Sequence, residues 1–174
     1  ACRRECPTGV DMAKMKLEFL HHYKNEHGLT LKDRLVAFLP RYAPWVSRLP
    51  WLANAREWLP GAKALGERWL GISAQRSLPR WRSDTFLRDA PREHANDADV
   101  VLLVDTFNNY FEPENAHAAL AVLKAAGRRV YVARARAGDA ERARPLCCGR
   151  TFLAAGQVDE AKCEARRLIA ALAP

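Results

Sequence analysis

Val100-Val101-Leu102-Leu103-Val104 is a continuous run of apolar and β-branched residues. Such a run is typical of a strand buried on both faces, as strands are in parallel sheets. A shorter run of the same kind, Val130-Tyr131-Val132, follows further along the chain. The residues between the two runs are numerous enough for a crossover helix, so the sequence predicts a parallel strand pair in a βαβ unit with a right-handed crossover.

Helical patterns flank these strands. Pro113 is predicted to open the crossover helix, because proline suits the first helical position, and Gly127 to close it. A last helix is predicted from about Asp159 to Leu172, and a loop connects it to the second strand. The inner faces of the two helices are predicted to hold Ala116, Ala119, Leu120, Leu123, Val158, Ala161, Ala165, Leu168 and Leu172. The predicted fold class is therefore α/β: a helical N-terminal segment followed by a βαβ-type parallel-sheet domain, which we expect to be incomplete in this chain.

The N-terminal part is predicted to be helical. Residues 8–27 have apolar residues at helical spacing, and Gly28 suits the C-terminal cap. The stripe consists of Val10, Ala13, Leu17 and Leu20, widened by Met12, Met15, Phe19 and Tyr23. A short helix is predicted from Thr30, its N-cap, to Leu39, with Pro40 beyond its end.

Residues 40–82, here called the Trp-rich segment, contain five prolines and all five tryptophans of the chain. Short helices are predicted around 51–59 and 61–70. The tryptophans indicate packing against protein, since exposed aromatic rings are costly, and a membrane-surface element is the alternative. Residues 83–97 are polar and charged, and are predicted to form a linker.

The composition narrows the class of protein. With 174 residues and 49% in the hydrophobic class, the chain can form one domain with a core, or one domain plus a helical extension. Five cysteines, two of them adjacent, do not suit a secreted disulfide framework, so we expect a reducing, cytoplasmic location. No apolar run is long enough to span a bilayer. The net charge of +8 is interpreted as a solvated arginine-rich surface, with nucleic acid or anionic lipid as the less favoured partner.

Two cysteine patterns carry the candidate chemistry. Cys2 and Cys6, followed by Pro7, have the spacing that ends the bacterial ferredoxin run, in which thiolates hold iron–sulfur clusters. The first half of that run is missing, so we expect the chain to be a piece of a longer polypeptide. The alternative is a free, inert cysteine pair.

The second pattern is Cys147-Cys148-Gly149, here called the CCG turn. Neighbouring strand residues point to opposite faces, so both thiols can bind one metal centre only if the backbone bends, and Gly149 allows such a bend. Arg150 and a short helix over residues 151–155 are predicted to lower the thiol pKa and favour the thiolates that bind iron or zinc. Two buried, unreactive cysteines or a vicinal disulfide are the alternatives. Cys163, in the middle of a helix, is not predicted to be a ligand.

No catalytic constellation is visible. The five histidines are scattered without partners at zinc or triad spacing, and Asp105, at a strand end, is predicted to cap the next turn.

These residues resemble a known family. Cys147-Cys148-Gly149 resembles the motif of the cysteine-rich domain shared by heterodisulfide reductases and the iron–sulfur proteins of glycolate oxidase and anaerobic glycerol-3-phosphate dehydrogenase. Val101-Leu102-Leu103-Val104-Asp105-Thr106-Phe107-Asn108-Asn109-Tyr110-Phe111-Glu112-Pro113 is similar to one branch, the D-lactate or D-2-hydroxyglutarate dehydrogenase-like proteins. In that branch a flavin-binding oxidase domain is fused to a ferredoxin-like domain and this region. The N-terminal CRRECPTGVDMAKMKLEFL resembles the junction between the last two.

The resemblance implies three parts: the end of a 4Fe-4S ferredoxin-like segment with its following helix (1–27), a helical Pro- and Trp-rich connector (28–97), and an α/β cysteine-rich domain (98–174). It implies cluster ligation by Cys2 and Cys6 and by Cys147 and Cys148. The partners it implies are a flavin-binding oxidase domain carrying FAD outside this chain and an acceptor, a quinone or another redox protein. Peripheral association with the inner membrane is compatible with it.

The chain also departs from the family, because Thr106 stands about where many members carry a further cysteine. Zinc, or no metal, at Cys147 and Cys148 therefore remains an alternative to a cluster. A metal-free scaffold that docks partners through the Trp-rich segment is the competing function, and a basic nucleic-acid or lipid-surface module is the third.

Overall fold

The computed structural model describes residues 2–92, 98–142 and 144–172. The chain is mixed α/β and mostly helical, with one small parallel sheet. The helices in this part of the chain are α1 (Cys2–Glu5), α2 (Met12–His27), α3 (Leu31–Ala37), α4 (Leu39–Val46), α5 (Pro50–Ala53), α6 (Ala55–Trp58), α7 (Ala62–Leu70), α8 (Phe86–Asp89), α9 (Thr106–Tyr110), α10 (Pro113–Ala125), α11 (Arg150–Ala154) and α12 (Val158–Leu172). None of these helices is both long and apolar enough to cross a bilayer.

The sheet consists of β1 (Val100–Leu102) and β2 (Val130–Val132), which run parallel. Val100 pairs with Val130 and Leu102 with Val132. Helix α10 lies between the strands in sequence and begins at Pro113, as predicted, because the first helical N–H groups have no intrahelical partner to lose. The predicted βαβ unit with its parallel pair is therefore confirmed.

The prediction that β1 is buried on both faces is wrong. The side chain of Val101 is 50% exposed and that of Leu103 is 37% exposed, whereas Leu102 packs against the core. Alternate strand residues point to opposite faces, and the described elements cover only one face of this two-stranded sheet.

The main core lies on the covered face of the sheet. Its fully or nearly fully buried residues are Phe86, Ala90, Val104, Ala116, Leu120, Val130 and Val132. The segment expected to be a polar linker supplies Phe86, which is completely buried and packs edge-on against the His117 ring at 4.8 Å. The linker prediction is therefore wrong for residues 83–92, because one apolar ring in a polar stretch gains enough by burial to dock the whole segment. Residues 93–97 lie outside the described part of the chain.

Helix α2 begins at Met12, four residues later than predicted, because Asp11 caps it by accepting a hydrogen bond from Lys14 N at 3.1 Å. It ends at Gly28 as predicted. One side of α2 rests on the loop between α11 and α12, where the His21 ring lies 3.1 Å from the carbonyl oxygen of Gly156. The opposite stripe stays exposed, and it holds Met12, Met15, Phe19 and Tyr23.

Thr30 caps α3 with a reciprocal capping box to Asp33, as predicted for the N-cap. Pro40 lies beyond the end of α3, as predicted, although α3 ends at Ala37 rather than Leu39, and Pro40 occupies the first turn of the next helix, α4. Proline is tolerated there because that N–H needs no partner. Residues 51–59 form the separate turns α5 and α6 rather than one helix.

The tryptophans are mostly exposed. Trp45, Trp51, Trp58 and Trp69 have 63–76% of their surface accessible, while Trp81 packs on Phe111 with ring centroids 4.6 Å apart. Packing of the first four rings within the chain is therefore absent from the described structure. The segment carries eight basic and two acidic residues, hence +6 of the chain's net charge of +8.

Candidate functional site

The CCG turn joins the loop after β2 to the start of α11. Gly149 has φ of 76°, the left-handed conformation that side chains disfavour. A Cβ at this position would lie 2.8 Å from the carbonyl oxygen of Ala161 in α12. The bend predicted at Gly149 is therefore present, and glycine is needed both for its conformation and for the close approach to α12.

The two thiols of the turn occupy different environments. Cys147 is buried, with 6% of its surface accessible, whereas Cys148 is exposed. The Gly149 backbone N–H donates a hydrogen bond to Cys147 Sγ at 3.4 Å. The Thr106 side chain, at the start of α9, contacts the same thiol. Thr106, the residue at the position of the further cysteine implied by the resemblance, thus lies beside Cys147.

The expected lowering of the thiol pKa is wrong for Cys147. Burial raises the pKa of the Cys147 thiol, the Gly149 N–H partly opposes the rise, and the charges of Cys148 and Glu164 add to it. Arg150 is exposed and does not offset the burial. Cys147 is therefore held in its protonated form, and a metal would have to displace that proton to bind.

A buried ion pair lies next to the turn. Glu164 of α12 accepts two hydrogen bonds from Arg144, at 3.0 Å from Nη1 and 2.7 Å from Nη2, and the two residues are 1% and 6% exposed. Although burial opposes it, hydrogen bonds with Glu164 and Glu141 raise the pKa of Arg144. Sequence reasoning missed this pair. Its only signal was the position of Glu164, three residues after Ala161 on the predicted inner face of α12.

Arg167 of α12 anchors the loop that leads to the turn. Its guanidinium donates to the carbonyl oxygens of Pro145 at 2.9 Å, Arg144 at 2.8 Å and Glu141 at 3.0 Å, and it pairs with Asp139. Together with the Arg144–Glu164 pair, these bonds fix the backbone just before Cys147. Glu164 and Arg167 of α12 therefore both help to position the CCG turn.

The N-terminal cysteines differ from this site. Cys6 is half-buried, and its Sγ lies 3.1 Å from Thr8 Oγ1. Hydrogen bonds, first with the Thr8 side chain and then with the backbone of Val10 and Thr8, lower the pKa of Cys6. Cys2 begins α1, and its side chain lies outside the described part of the structure. The pKa of Cys6 is thus shifted in the opposite direction to that of Cys147.

No metal site is complete within the described residues, which contain no group of three His, Cys, Asp or Glu side chains able to hold one ion. The structure therefore assembles no full ligand set from Cys6, Cys147 and Cys148. Cys163 is exposed on α12. Asp105 caps α9, as predicted, by accepting hydrogen bonds from Phe107 N at 3.2 Å and Asn108 N at 3.3 Å.

Three curated proteins named D-2-hydroxyglutarate dehydrogenase are similar to this chain. The protein of Escherichia coli (strain K12) is 32% identical over 72 residues, 41% of this chain and 7% of the relative. That of Pseudomonas putida (strain KT2440) is 24% identical over 76% of this chain and 14% of the relative, and that of Pantoea ananatis (strain AJ13355) is 23% identical over 73% and 14%. The matches thus span a small part of each relative. No protein-family model matches the chain, and no solved structure does.

Proposed function

We propose that this chain belongs to the iron–sulfur, electron-transfer region of an FAD-linked oxidoreductase that oxidises a 2-hydroxy acid such as D-lactate, glycolate or D-2-hydroxyglutarate. The observation that carries the proposal is the similarity to three D-2-hydroxyglutarate dehydrogenases, two of which match about three quarters of this chain. The chain itself is not catalytic in this proposal. FAD and the substrate bind elsewhere in the larger protein.

The CCG turn supports this role only in part. A [4Fe-4S] cluster is held by four thiolates. The turn offers two thiols on a bend built by Gly149, one exposed and one beside Thr106. Any cluster at Cys147 and Cys148 would need further ligands from outside the described residues, and so would zinc. The same holds for a cluster that uses Cys2 and Cys6.

The first experiment tests the cysteine ligands in the intact natural polypeptide that contains this chain. After isolation without oxygen, we expect bound flavin, iron and acid-labile sulfide. Changing Cys147 and Cys148 to Ser is expected to lower the iron and sulfide content and leave the flavin unchanged. Cys163→Ser is the matched control, because Cys163 is exposed and has no proposed ligand role. Iron-free protein with no flavin would remove the proposal.

The second candidate function is a metal-free scaffold. Two observations favour it: Cys147 is buried with a raised pKa, and the described residues assemble no three-ligand group. Electron transfer from the flavin to the acceptor separates the two candidates. Unchanged transfer in the variant with Ser at both positions would support the scaffold, and its loss would support the electron-transfer role.

The Trp-rich segment is the proposed docking surface in both cases. Four exposed tryptophans and a charge of +6 suit an acidic protein surface, such as the flavin-binding domain or the electron acceptor, because Trp and Arg are enriched at interface hot spots. Arg48 stacks over Trp45 at 4.5 Å, so the charge and the apolar surface are adjacent. Cytoplasmic location and peripheral binding to the inner membrane belong to the same proposal.

Changing Trp51, Trp58 and Trp69 to Ala tests this surface. We expect the variant to keep its fold and lose binding to the flavin-bearing part or the acceptor, measured by co-purification of separately expressed parts. Retained protein binding, with loss of binding to vesicles of anionic phospholipid, would instead assign the surface to a membrane. Retention of both would show that the tryptophans have no docking role.

A further inference from the structure

A cleft lies at the carboxyl end of β2. Its volume is about 1050 Å³, and its walls come from the end of α4, the α8 segment, α9 and the loop after β2. Ligands in open α/β sheets bind beyond the carboxyl ends of the strands, and small-molecule sites commonly have volumes of about 300–1000 Å³. Position and size therefore suit a small-molecule site.

Arginine dominates the lining. The six arginines that line the cleft are Arg48, Arg88, Arg92, Arg134, Arg142 and Arg144. Among the described residues, no Asp or Glu lines it. No sequence pattern indicated this grouping, because the six residues are spread over about a hundred positions of an arginine-rich chain.

Two of these arginines already have carboxylate partners. Arg144 is neutralised by Glu164 and Glu141, and Arg88 contacts Asp89 at 3.3 Å. Arg144 and Arg88 therefore form part of the cleft wall, and the carboxylates compensate their charges. Within the described residues, the charge without a carboxylate partner therefore comes from the other four, of which Arg48 lies over the Trp45 ring.

Arg134 is a partly buried arginine of the cleft. Its Nη2 donates to the carbonyl oxygens of Leu87 at 2.8 Å and Ala90 at 3.2 Å, and its Nε is buried with no hydrogen-bond partner. In the described part of the structure it forms no ion pair. Burial, and next the charge of Arg92, lower the pKa of its guanidinium. Two cations thus line the same cleft, and one of them, Arg134, is partly desolvated, an arrangement that an anion would stabilise.

We propose that this cleft binds a small-molecule oxyanion with two or more negative charges on phosphate or carboxylate groups. The planar guanidinium fork recognises both groups by paired hydrogen bonds. The site is a concavity between helices and the strand end, which favours a small anion over the extended backbone of a nucleic acid. The proposal does not depend on the thiols or on the redox function proposed above.

Isothermal titration calorimetry at low ionic strength tests the proposal. The two probes are pyrophosphate, which carries phosphate groups, and citrate, which carries carboxylate groups. The cleft variant changes Arg92 and Arg142 to Ser. The control changes Arg68 and Arg166 to Ser, two exposed arginines outside the cleft, so that both variants lose the same net charge. Thermal unfolding is measured for both variants to show that they are folded.

We expect the unaltered protein to bind at least one probe with a Kd below about 1 mM, the cleft variant to bind it at least about tenfold more weakly, and the control to remain within about twofold. The stronger probe identifies the anionic group. Binding of neither probe would overturn the proposal, as would equal weakening in both variants. Binding of a 20-base-pair DNA duplex with steep salt dependence, without either probe, would also overturn it and indicate a nucleic-acid surface.

Discussion

The βαβ region and the Trp-rich segment use their apolar residues in opposite ways. In the first, Val130, Val132 and Phe86 are almost completely buried between the sheet and α10. In the second, four of five tryptophans keep at least 63% of their surface exposed. The difference shows that apolar content alone does not build a core. A second layer must be present to cover it.

The internal order of the Trp-rich segment comes from polar contacts. Prolines divide it into turns as short as α5 and α6, too short to present a full apolar stripe. Asn54 holds Trp81 through two hydrogen bonds of 2.9 Å to its backbone, and Lys63 pairs with Glu57 at 2.7 Å. Hydrogen bonds thus help to order the segment, and four of its five tryptophan rings stay exposed.

The largest expected effect compares one ring from each region. Phe86→Ala removes a fully buried ring from the core and is expected to lower the free energy of unfolding by about 3–5 kcal/mol. Trp69→Ala, at a ring that is 76% exposed, is expected to change it by about 0.5 kcal/mol or less. Urea unfolding followed by circular dichroism measures both. Equal losses would mean that the exposed tryptophans are part of a core and would break the comparison.

Two glycines give the next effect. Gly149→Ala puts a methyl group 2.8 Å from the Ala161 oxygen in a left-handed conformation, and a loss of about 2 kcal/mol or more is expected. Gly61→Ala in the Trp-rich segment meets the same conformation, φ of 79°, but open space, so a loss of about 1 kcal/mol is expected. Denaturant midpoints of the two variants check the difference. A Gly149 variant as stable as the Gly61 variant would show that α12 does not hold the CCG turn.

The cysteines provide a kinetic test of burial. In single variants that keep one thiol of the turn, we expect Cys148 to react with iodoacetamide at least about tenfold faster than Cys147, because the Cys147 pKa is raised by burial. The stability linked to that raised pKa is present below the ordinary thiol pKa and is lost as the pH rises through the folded value. The rates of iodoacetamide labelling, measured with and without urea, compare the reactivity of the two thiols in the folded and the unfolded chain. Equal rates in the folded protein would contradict the burial of Cys147.

The smallest effect concerns two carboxylates. The pKa of Asp99 is lowered to about 2, first by Arg129, and that of Asp84 to about 2, first by Arg82. A lowered pKa contributes stability above the unfolded value, which is lost as the pH falls from about 4 towards 2. Asp99 pairs with Arg129, which lies 30 positions later in the chain, so this pair depends on the folded structure. Asp84 and Arg82 are only two positions apart and can also pair in the unfolded chain.

Asp99→Asn is therefore expected to remove more of the acid dependence than Asp84→Asn does. Thermal unfolding between pH 2 and pH 5 compares the variants with the unaltered chain. A larger effect of Asp84→Asn would show that the ion pair with Arg82, at the end of the Trp-rich segment, contributes more to stability than the Asp99–Arg129 pair beside the strands.

Local sequence signals predicted much of the backbone. The two strand runs, Pro113 at a helix start, Thr30 as a cap and the bend at Gly149 depend on neighbouring residues, and each is present in the structure. The lengths of elements were less predictable: α2 begins after Asp11 rather than at residue 8, and a further helix, α4, begins at Leu39 with Pro40 in its first turn. In both cases a capping or first-turn position competes with apolar periodicity.

Burial and charge pairing at the candidate site could not be read from the sequence. Glu164 is acidic, yet it is buried, because Arg144, twenty positions earlier in the chain, pairs with it. The Cys147 pKa is raised instead of lowered for the same reason, since the turn packs against α12. The arginine cleft likewise depends on segments that meet only in the folded chain.

The amino-acid order by itself determined the two strands and most of the helices, and it placed two adjacent thiols before a glycine that the bend requires. Only the tertiary structure decided that Phe86 is buried in the core and that four of the five tryptophans are exposed. It also decided that Cys147 is buried while Cys148 is exposed. The physical reason is range: dihedral preferences and caps act over a few neighbouring residues, whereas burial depends on which distant segments come together.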